Sequence, residues 1–295
     1  QPWIGLDLGR ATSHRADTPE PINITDAAAC DDLIAQTRPA AIYYLAAYHA
    51  SSENVDDSAL DDLYRKSMAV NVTGWLNCLH AASRTSPDTR LLYASSSLVI
   101  GEPREDGKPH TEQTPWQPIG VYGYTKALGA LAAKQYREDR NLHASVVHLF
   151  NHESSHRPTG FLSRKVVDAA ARMAAGSDET LTLGNLEARV DWGYAPDYTR
   201  AMQLVVEQPH GDDYIIATGE AHRVGDWVDI AFDEAGVNPD GRVKTDQAIL
   251  GRPSAGRIGD ATKLRNATGW SPSITFEQMV RQMTREAIRR VSAGQ

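Results

Sequence analysis

The chain is poor in the features that mark several classes of protein. Its 295 residues include two cysteines, Cys30 and Cys78. They are too far apart for a Cys-x2-Cys metal pair and too few for a disulfide framework, so a reducing, cytoplasmic compartment is expected. No apolar run approaches the roughly 18 residues that cross a bilayer, and no membrane partner is expected. Ten histidines show no His-Glu-x2-His or other ligand spacing, so no metal is implied. Positive charge is not in excess: 30 Lys and Arg stand against 38 Asp and Glu, a net charge of −8 with pI ≈ 5.7. Such a chain lacks the basic face of a nucleic-acid binder. Gln1-Pro2-Trp3 has no basic segment followed by an apolar one and does not read as a secretory signal. An initiator Met is also lacking, which leaves processing, cleavage or a missing start open. There are no internal repeats, low-complexity tracts or flexible linkers.

What remains is ordinary for a soluble globular chain, with 41% hydrophobic and 23% charged residues. That length makes one large domain or about two smaller ones. Trp3 to Leu8 and Ile22 to Thr25 read as short strands. Asp26 is placed to cap a helix over Ala27 to Gln36. Ala41 to Ala47 and Arg90 to Ser95 read as strands buried on both faces. Asp57 to Ser83 and Tyr124 to Asp139 have helical periodicity, His143 to Asn151 reads as a strand and Phe161 to Ala175 as a helix. Strands alternating with helices predict a parallel sheet covered on both sides. The rhythm changes near residue 151, after which Leu181 to Leu186 and Tyr214 to Thr218 read as strands among longer connections. Gly269 closes one helix, and Thr275 with Gln278 forms a capping box for a last helix, Phe276 to Val291.

Tyr122-Gly123-Tyr124-Thr125-Lys126 follows the hydroxyl-rich stretch Ala94-Ser95-Ser96-Ser97. Tyr122 and Lys126 are one helical turn apart, on one face. A nearby ammonium favours the phenolate. A phenolate can take a proton from a hydroxyl as hydride leaves the adjacent carbon for a nicotinamide. A serine at the end of the preceding strand can bond the same oxygen. The spacing alone reads more readily as a packed Tyr and a solvated Lys; its place after a Ser-rich strand end in an alternating α/β pattern gives it meaning.

With this motif the chain resembles the extended short-chain dehydrogenases that remodel nucleotide sugars, nearest to the GDP-mannose 4,6-dehydratase branch. The resemblance is carried by Leu149-Phe150-Asn151-His152-Glu153-Ser154, Ser163-Arg164-Lys165, Leu183-Gly184-Asn185-Leu186-Glu187-Ala188, Asp191-Trp192-Gly193, Ile216-Ala217-Thr218-Gly219, Gly259-Asp260-Ala261-Thr262-Lys263 and Gly269-Trp270. It covers nearly the whole chain. It implies an α/β fold: a Rossmann-like, doubly wound parallel sheet with a smaller C-terminal α/β substrate region. The corresponding expectation is a dinucleotide-binding domain over 1–151 and a mainly substrate-binding region over 152–295, partly interwoven. It also implies a homodimer paired through the helices at 57–83 and 124–139.

The resemblance implies catalysis by Ser96, Tyr122 and Lys126. Asp7, Asn23, Ile24, Leu45, Ala46 and Ala47 match cofactor-binding positions, and Tyr122 and Lys126 belong to the cofactor site as well. An acidic Asp7 after the family's second strand accepts from ribose hydroxyls and repels a 2′-phosphate, so NAD is favoured, with NADP left open by Arg10. Asn151 and Lys165 match nucleotide-sugar contacts, and Ser97 is grouped with them. Arg157, Arg189 and Arg252 are candidates for a diphosphate, which a guanidinium meets with two parallel bonds. Asn71 reads as a structural helix residue tied to the sheet. His49, His152 and His156 lie near motif segments and read as plain hydrogen-bonding residues.

Three departures matter. The family's first strand and GxxGxxG turn are not found, and Gln1 is expected to enter near the second strand, with the first unit missing. Leu98 stands where the dehydratases carry the glutamate that removes the C5 proton, and leucine transfers no proton. Val190 stands where they carry an arginine before Asp-Trp-Gly, with Arg189 adjacent. The favoured reading is therefore an NAD(P)-dependent enzyme on a GDP-linked hexose, epimerising C4 through a 4-keto intermediate. A 4,6-dehydratase using another base, such as Glu102, Glu105 or Cys78, is the alternative. A 4-keto reductase is a second, and a catalytically silent nucleotide-sugar binding protein is the reading from a different class.

Overall fold

The computed structural model describes residues 4–7, 10–13, 22–48, 57–246, 249 and 256–294. In chain order the elements of the first half are β1 (Ile4–Asp7), β2 (Arg10–Ser13), α1 (Ala27–Thr37), β3 (Ala41–Tyr44), α2 (Asp57–Met68), α3 (Gly74–Thr85), β4 (Arg90–Ser96), α4 (Gly120–Arg140) and β5 (Ala144–Leu149). There follow β6 (Asn151–Glu153), α5 (Leu162–Ala174), β7 (Leu181–Leu183), β8 (Arg189–Tyr194), α6 (Ala195–Val206), β9 (Asp213–Ile216), β10 (Ala221–Arg223), α7 (Val224–Ala235), β11 (Val243–Thr245), α8 (Thr262–Thr268) and α9 (Phe276–Ser292). The chain divides into two compact units. One comprises residues 1–101, 115–148 and 204–214; the other comprises 102–114, 149–203 and 215–295.

A four-stranded sheet runs in the order β3-β4-β5-β9, with β3 parallel to β4 and Tyr44 opposite Tyr93. In the first unit Tyr44, Trp75, Leu91, Tyr93, Ala130, Ala133 and Val146 share one buried core. The local rules are visible at the helix ends. Asp26 accepts from Ala28 N and Ala29 N at 3.0 and 3.2 Å, as its capping position predicts. α4 closes at Asn141, whose φ of 50° is the left-handed conformation asparagine tolerates. In the second unit Trp192, Trp227 and Phe276 bring β8, α7 and α9 onto one core, with the Trp192 and Phe276 rings stacked at 5.7 Å. The Thr275–Gln278 capping box forms as read from the sequence, with bonds of 2.8 and 3.2 Å.

Four sequence readings are corrected. The strand at the start does not join the described four-stranded sheet: β1 pairs antiparallel with β2, Asp7 opposite Arg10. Pairing between segments close in sequence costs little loop-closure entropy, and that local pairing prevails. Ile22 to Thr25 is a turn, because the Asn23 side chain accepts from both Thr25 N and Thr25 Oγ1, at 3.0 and 2.8 Å. β3 stops at Tyr44 and is not buried on both faces, since Tyr43 is 39% exposed. The helix read over 57–83 is interrupted by a π-turn, Ala69–Thr73.

Candidate active site

β4 ends at Ser96 in extended conformation, where its Oγ accepts from Leu98 N at 3.2 Å and caps the short turn Ser97–Val99. The Leu98 carbonyl then accepts from Ile119 N at 2.9 Å, the residue before α4. Gly123 lets this junction close: a Cβ there would lie 2.7 Å from the Leu98 carbonyl oxygen. The first turn of α4, which carries Tyr122, is thus laid directly on the backbone that follows Ser96. His148 of β5 hydrogen-bonds the Ser96 backbone and packs edge-on against Trp116 at 5.3 Å. Burial holds this imidazole down at about 4, so it is neutral.

Lys126 is 1% exposed, and burial alone pulls its ammonium down to about 7. Its Nζ lies 5.6 Å from the centre of the half-buried Tyr122 ring and 4.8 Å from that of Tyr93.

The π-turn braces the same helix. A π-turn departs from the regular α-helical bonding ladder. Here the hydroxyls of Tyr44 and Tyr93 donate to the carbonyls of Val70 and Asn71. The buried Asn71 side chain accepts from Tyr48 N at 2.9 Å and donates to Thr125 Oγ1 at 2.9 Å. It thereby ties α4 to the segment after β3. Asn71 is the structural tie the sequence suggests, though nothing in the 3.6-residue period announces the π-turn. Leu45 and Ala47 are exposed in that segment and Ala46 is half-buried. Small or exposed residues at the carboxyl end of a parallel strand are where a dinucleotide lies against an open α/β sheet. The described residues there fit such a group.

The other expected cofactor residues lie elsewhere in the first unit. Asn23 and Ile24 form the turn before α1; the Ile24 carbonyl accepts from Asn77 Nδ2 at 2.9 Å. Asp7 ends β1 of the hairpin, outside the four-stranded sheet. Ser97 is buried. Cys78, a candidate base, sits in the core in hydrogen-bond contact with Cys30, which together with burial pushes its thiol well above the ordinary value. His49 and Arg252 lie outside the described residues.

In the second unit Asn151 opens β6 opposite Trp192. Arg157 folds onto its own loop: it pairs with the buried Glu153 at 3.4 Å, and its guanidinium lies 3.7 Å over the Phe161 ring. Burial raises the Glu153 carboxyl, against the pull of Arg157 and a 2.6 Å bond from Ser163 Oγ. Lys165 lies in the first turns of α5, half-buried. Arg189 is exposed at the start of β8, donating to Ala221 O at 3.4 Å, while Val190 faces the other way, half-buried. His152 donates Nδ1–H to Phe150 O and stacks on Tyr198 at 4.9 Å; His156 N donates to Ser154 Oγ. These are the plain roles expected. Glu102 pairs with Arg257 at 4.0 Å. A hub the sequence reading missed is Asp191. Its buried carboxylate accepts from Thr218 N, Thr218 Oγ1, Gly219 N and Gly259 N at 2.6 to 3.2 Å. The quoted Asp-Trp-Gly and Ala-Thr-Gly stretches held the signal, since a buried carboxylate beside glycine loops is an acceptor for their N–H groups. Among the described residues no cluster of three His, Cys, Asp or Glu could hold a metal ion.

A Ser-bearing strand end, a Tyr-x3-Lys helix packed on it and an α/β parallel sheet fit the class of short-chain dehydrogenases that the sequence resembles. The comparisons agree. The GDP-mannose 4,6 dehydratase family model matches residues 13–283. GDP-mannose 4,6 dehydratase 2 of Arabidopsis thaliana is 34% identical over 271 residues, covering 90% of this chain and 70% of the relative. The structure resembles RMD of Pseudomonas aeruginosa, solved with NADPH, at a TM-score of 0.79 and 22% identity over 92% of this chain and 89% of that one. It also resembles dTDP-glucose 4,6-dehydratase of Bacillus anthracis, solved with NAD, at a TM-score of 0.78 and 19% identity over 95% and 82%. The two structural likenesses show the fold. The chain belongs to the GDP-mannose 4,6 dehydratase family.

Proposed function

We propose that this protein epimerises C4 of a GDP-linked hexose through a 4-keto intermediate, using Ser96, Tyr122 and Lys126. The carrying observation is Leu98. Its carbonyl is pinned by Ile119 N beside the turn of Tyr122, and its side chain has no proton acceptor. An elimination across C5–C6 needs a base at C5; a 4-epimerisation does not. Of the substitutes offered by sequence, Cys78 is engaged with Cys30 and Glu102 pairs with Arg257, while Glu105 is exposed.

NAD or NADP, when bound, supplies a reversible hydride acceptor. Tyr122 takes the proton of the sugar 4-hydroxyl as hydride leaves C4. Lys126 stabilises the phenolate before that step, and Ser96 bonds the same sugar oxygen. Once the 4-keto sugar has turned over, hydride returns to its other face and Tyr122 gives the proton back. Leu45, Ala46 and Ala47 border the dinucleotide. Asn151, Lys165 and Arg189 bind the nucleotide sugar, and Arg157 shapes their loop through Glu153 and Phe161.

The test is incubation with GDP-mannose in D2O, followed by NMR and mass spectrometry of the sugar. The expected product is the C4 epimer, with unchanged composition and no deuterium at C5. Tyr122→Phe should lower turnover by about 100-fold or more, the scale of a lost general base. Loss of one water with deuterium entering C5 would replace this reading with the 4,6-dehydratase. Full turnover by Tyr122→Phe would end both.

A further inference from the structure

Lys126 has no carboxylate in ion-pair contact among the described residues, and burial lowers its ammonium. Yet an ammonium with no partner in a site this closed is strongly disfavoured. What it meets is an aromatic face. The Tyr93 ring centre lies 4.8 Å from Nζ, inside the roughly 6 Å over which a ring quadrupole attracts a cation.

The ring is held on every side. Tyr93 is 0% exposed, and its hydroxyl donates to Asn71 O at 2.7 Å. Trp75 is tilted against it at 5.1 Å, and Tyr44 stacks on it at 5.9 Å. Gly129, one turn beyond Lys126, admits it: a Cβ there would come within 2.3 Å of the ring. Trp75 in turn fixes that glycine by donating Nε1–H to Gly129 O at 3.0 Å. β4, α3, the π-turn and α4 thus converge to fix one ring face under one ammonium.

We propose that Tyr93 is a positioning residue for Lys126, seating the ammonium on its ring face so that the charge stays beside Tyr122. The inference rests on the catalytic reading of Tyr122 and Lys126. A tyrosine there only to fill the core would occupy the same space but would leave the lysine's titration indifferent to ring electronics.

The test replaces Tyr93 by phenylalanine, 3,5-difluorophenylalanine and 3,4,5-trifluorophenylalanine in the full chain. Fluorination withdraws the ring's negative face with little change of shape. Lys126 is followed by NMR of ε-13C lysine, assigned by Lys126→Met, and kcat and KM are measured against pH. The titration midpoint should fall stepwise with fluorination, by about one pH unit across the series. In step, kcat should fall with KM unchanged. A midpoint that stays constant across the folded series overturns the proposal. If the phenylalanine series does not fold, fluorinated tyrosines at the same position keep the bond to Asn71 and give the same reading. Because the NMR titration needs no turnover, a wrong catalytic assignment would show separately: the midpoint would move while Tyr122→Phe retained activity.

Discussion

At Lys126 a cation is held where cations are unfavourable. Burial lowers its titration from the ordinary 10.5 to about 7. Below pH 7 the amine is protonated in both folded and unfolded chains, and the desolvation penalty is fully present. Between about 7 and 10.5 the unfolded chain binds the proton and the folded chain does not, so stability rises with pH across that window. The difference in titration bounds the effect at roughly 5 kcal/mol. Lys126→Met keeps an unbranched apolar stem in the same space and removes the charge. It should abolish turnover yet stabilise the fold at pH 6.5 by about 2–4 kcal/mol. The gain should narrow as pH approaches 10. Urea unfolding of both chains at the two pH values measures this. A variant no more stable than the parent at pH 6.5, or a gain indifferent to pH, would show that the lysine is not held under strain.

The junction between β4 and α4 turns on Gly123, and the prediction at this scale is made there. Gly123→Ala would place a Cβ 2.7 Å from the Leu98 carbonyl oxygen, which is backbone and has little room to yield. A loss of about 1–3 kcal/mol is expected, the usual scale of overpacking, with kcat falling because the turn bearing Tyr122 is displaced from Ser96. Thermal unfolding and steady-state kinetics check it; unchanged kcat with lowered Tm would confine Gly123 to stability. Much of this junction is legible in the sequence, because Tyr122, Lys126 and the Ser-rich strand end obey local spacing. What is not legible comes from partners distant in the chain. The helix read as continuous over 57–83 is broken because Tyr44 and Tyr93, on separate strands, supply donors to the Val70 and Asn71 carbonyls. The Ile4–Asp7 strand is readable from its apolar run, but whether it joins a sheet or a hairpin depends on its pairing partner. Likewise the seat of Lys126 needs Gly129 to face Tyr93, a coincidence of two elements. Arg157 reads as a free guanidinium until Glu153 and Phe161 are seen to hold it.

On the whole molecule, the first unit leaves two neighbouring helices with apolar stripes. α2 presents Leu60, Tyr64 and Met68 at intervals of four residues, and α4, packed against it, presents Tyr124, Leu128 and Leu131. Tyr124 is 54% exposed and Leu131 50%. Scattered exposed leucines need no account, but exposed apolar stripes in helical register on two helices packed together are the kind of surface that pairing covers. An isologous pairing of two copies through α2 and α4 would cover it and close the assembly as a dimer. The opposite side of α4 carries Lys126, so the same pairing would stiffen the helix on which Tyr122 sits. The expected mass in sedimentation at micromolar concentration is twice the 32.3 kDa of the chain. Leu128→Glu, which sets a carboxylate at the centre of the face, should yield monomer and lower kcat without altering the fold seen by circular dichroism. A parent chain that sediments as monomer would remove the dimer, and a monomeric variant with full kcat would uncouple pairing from catalysis.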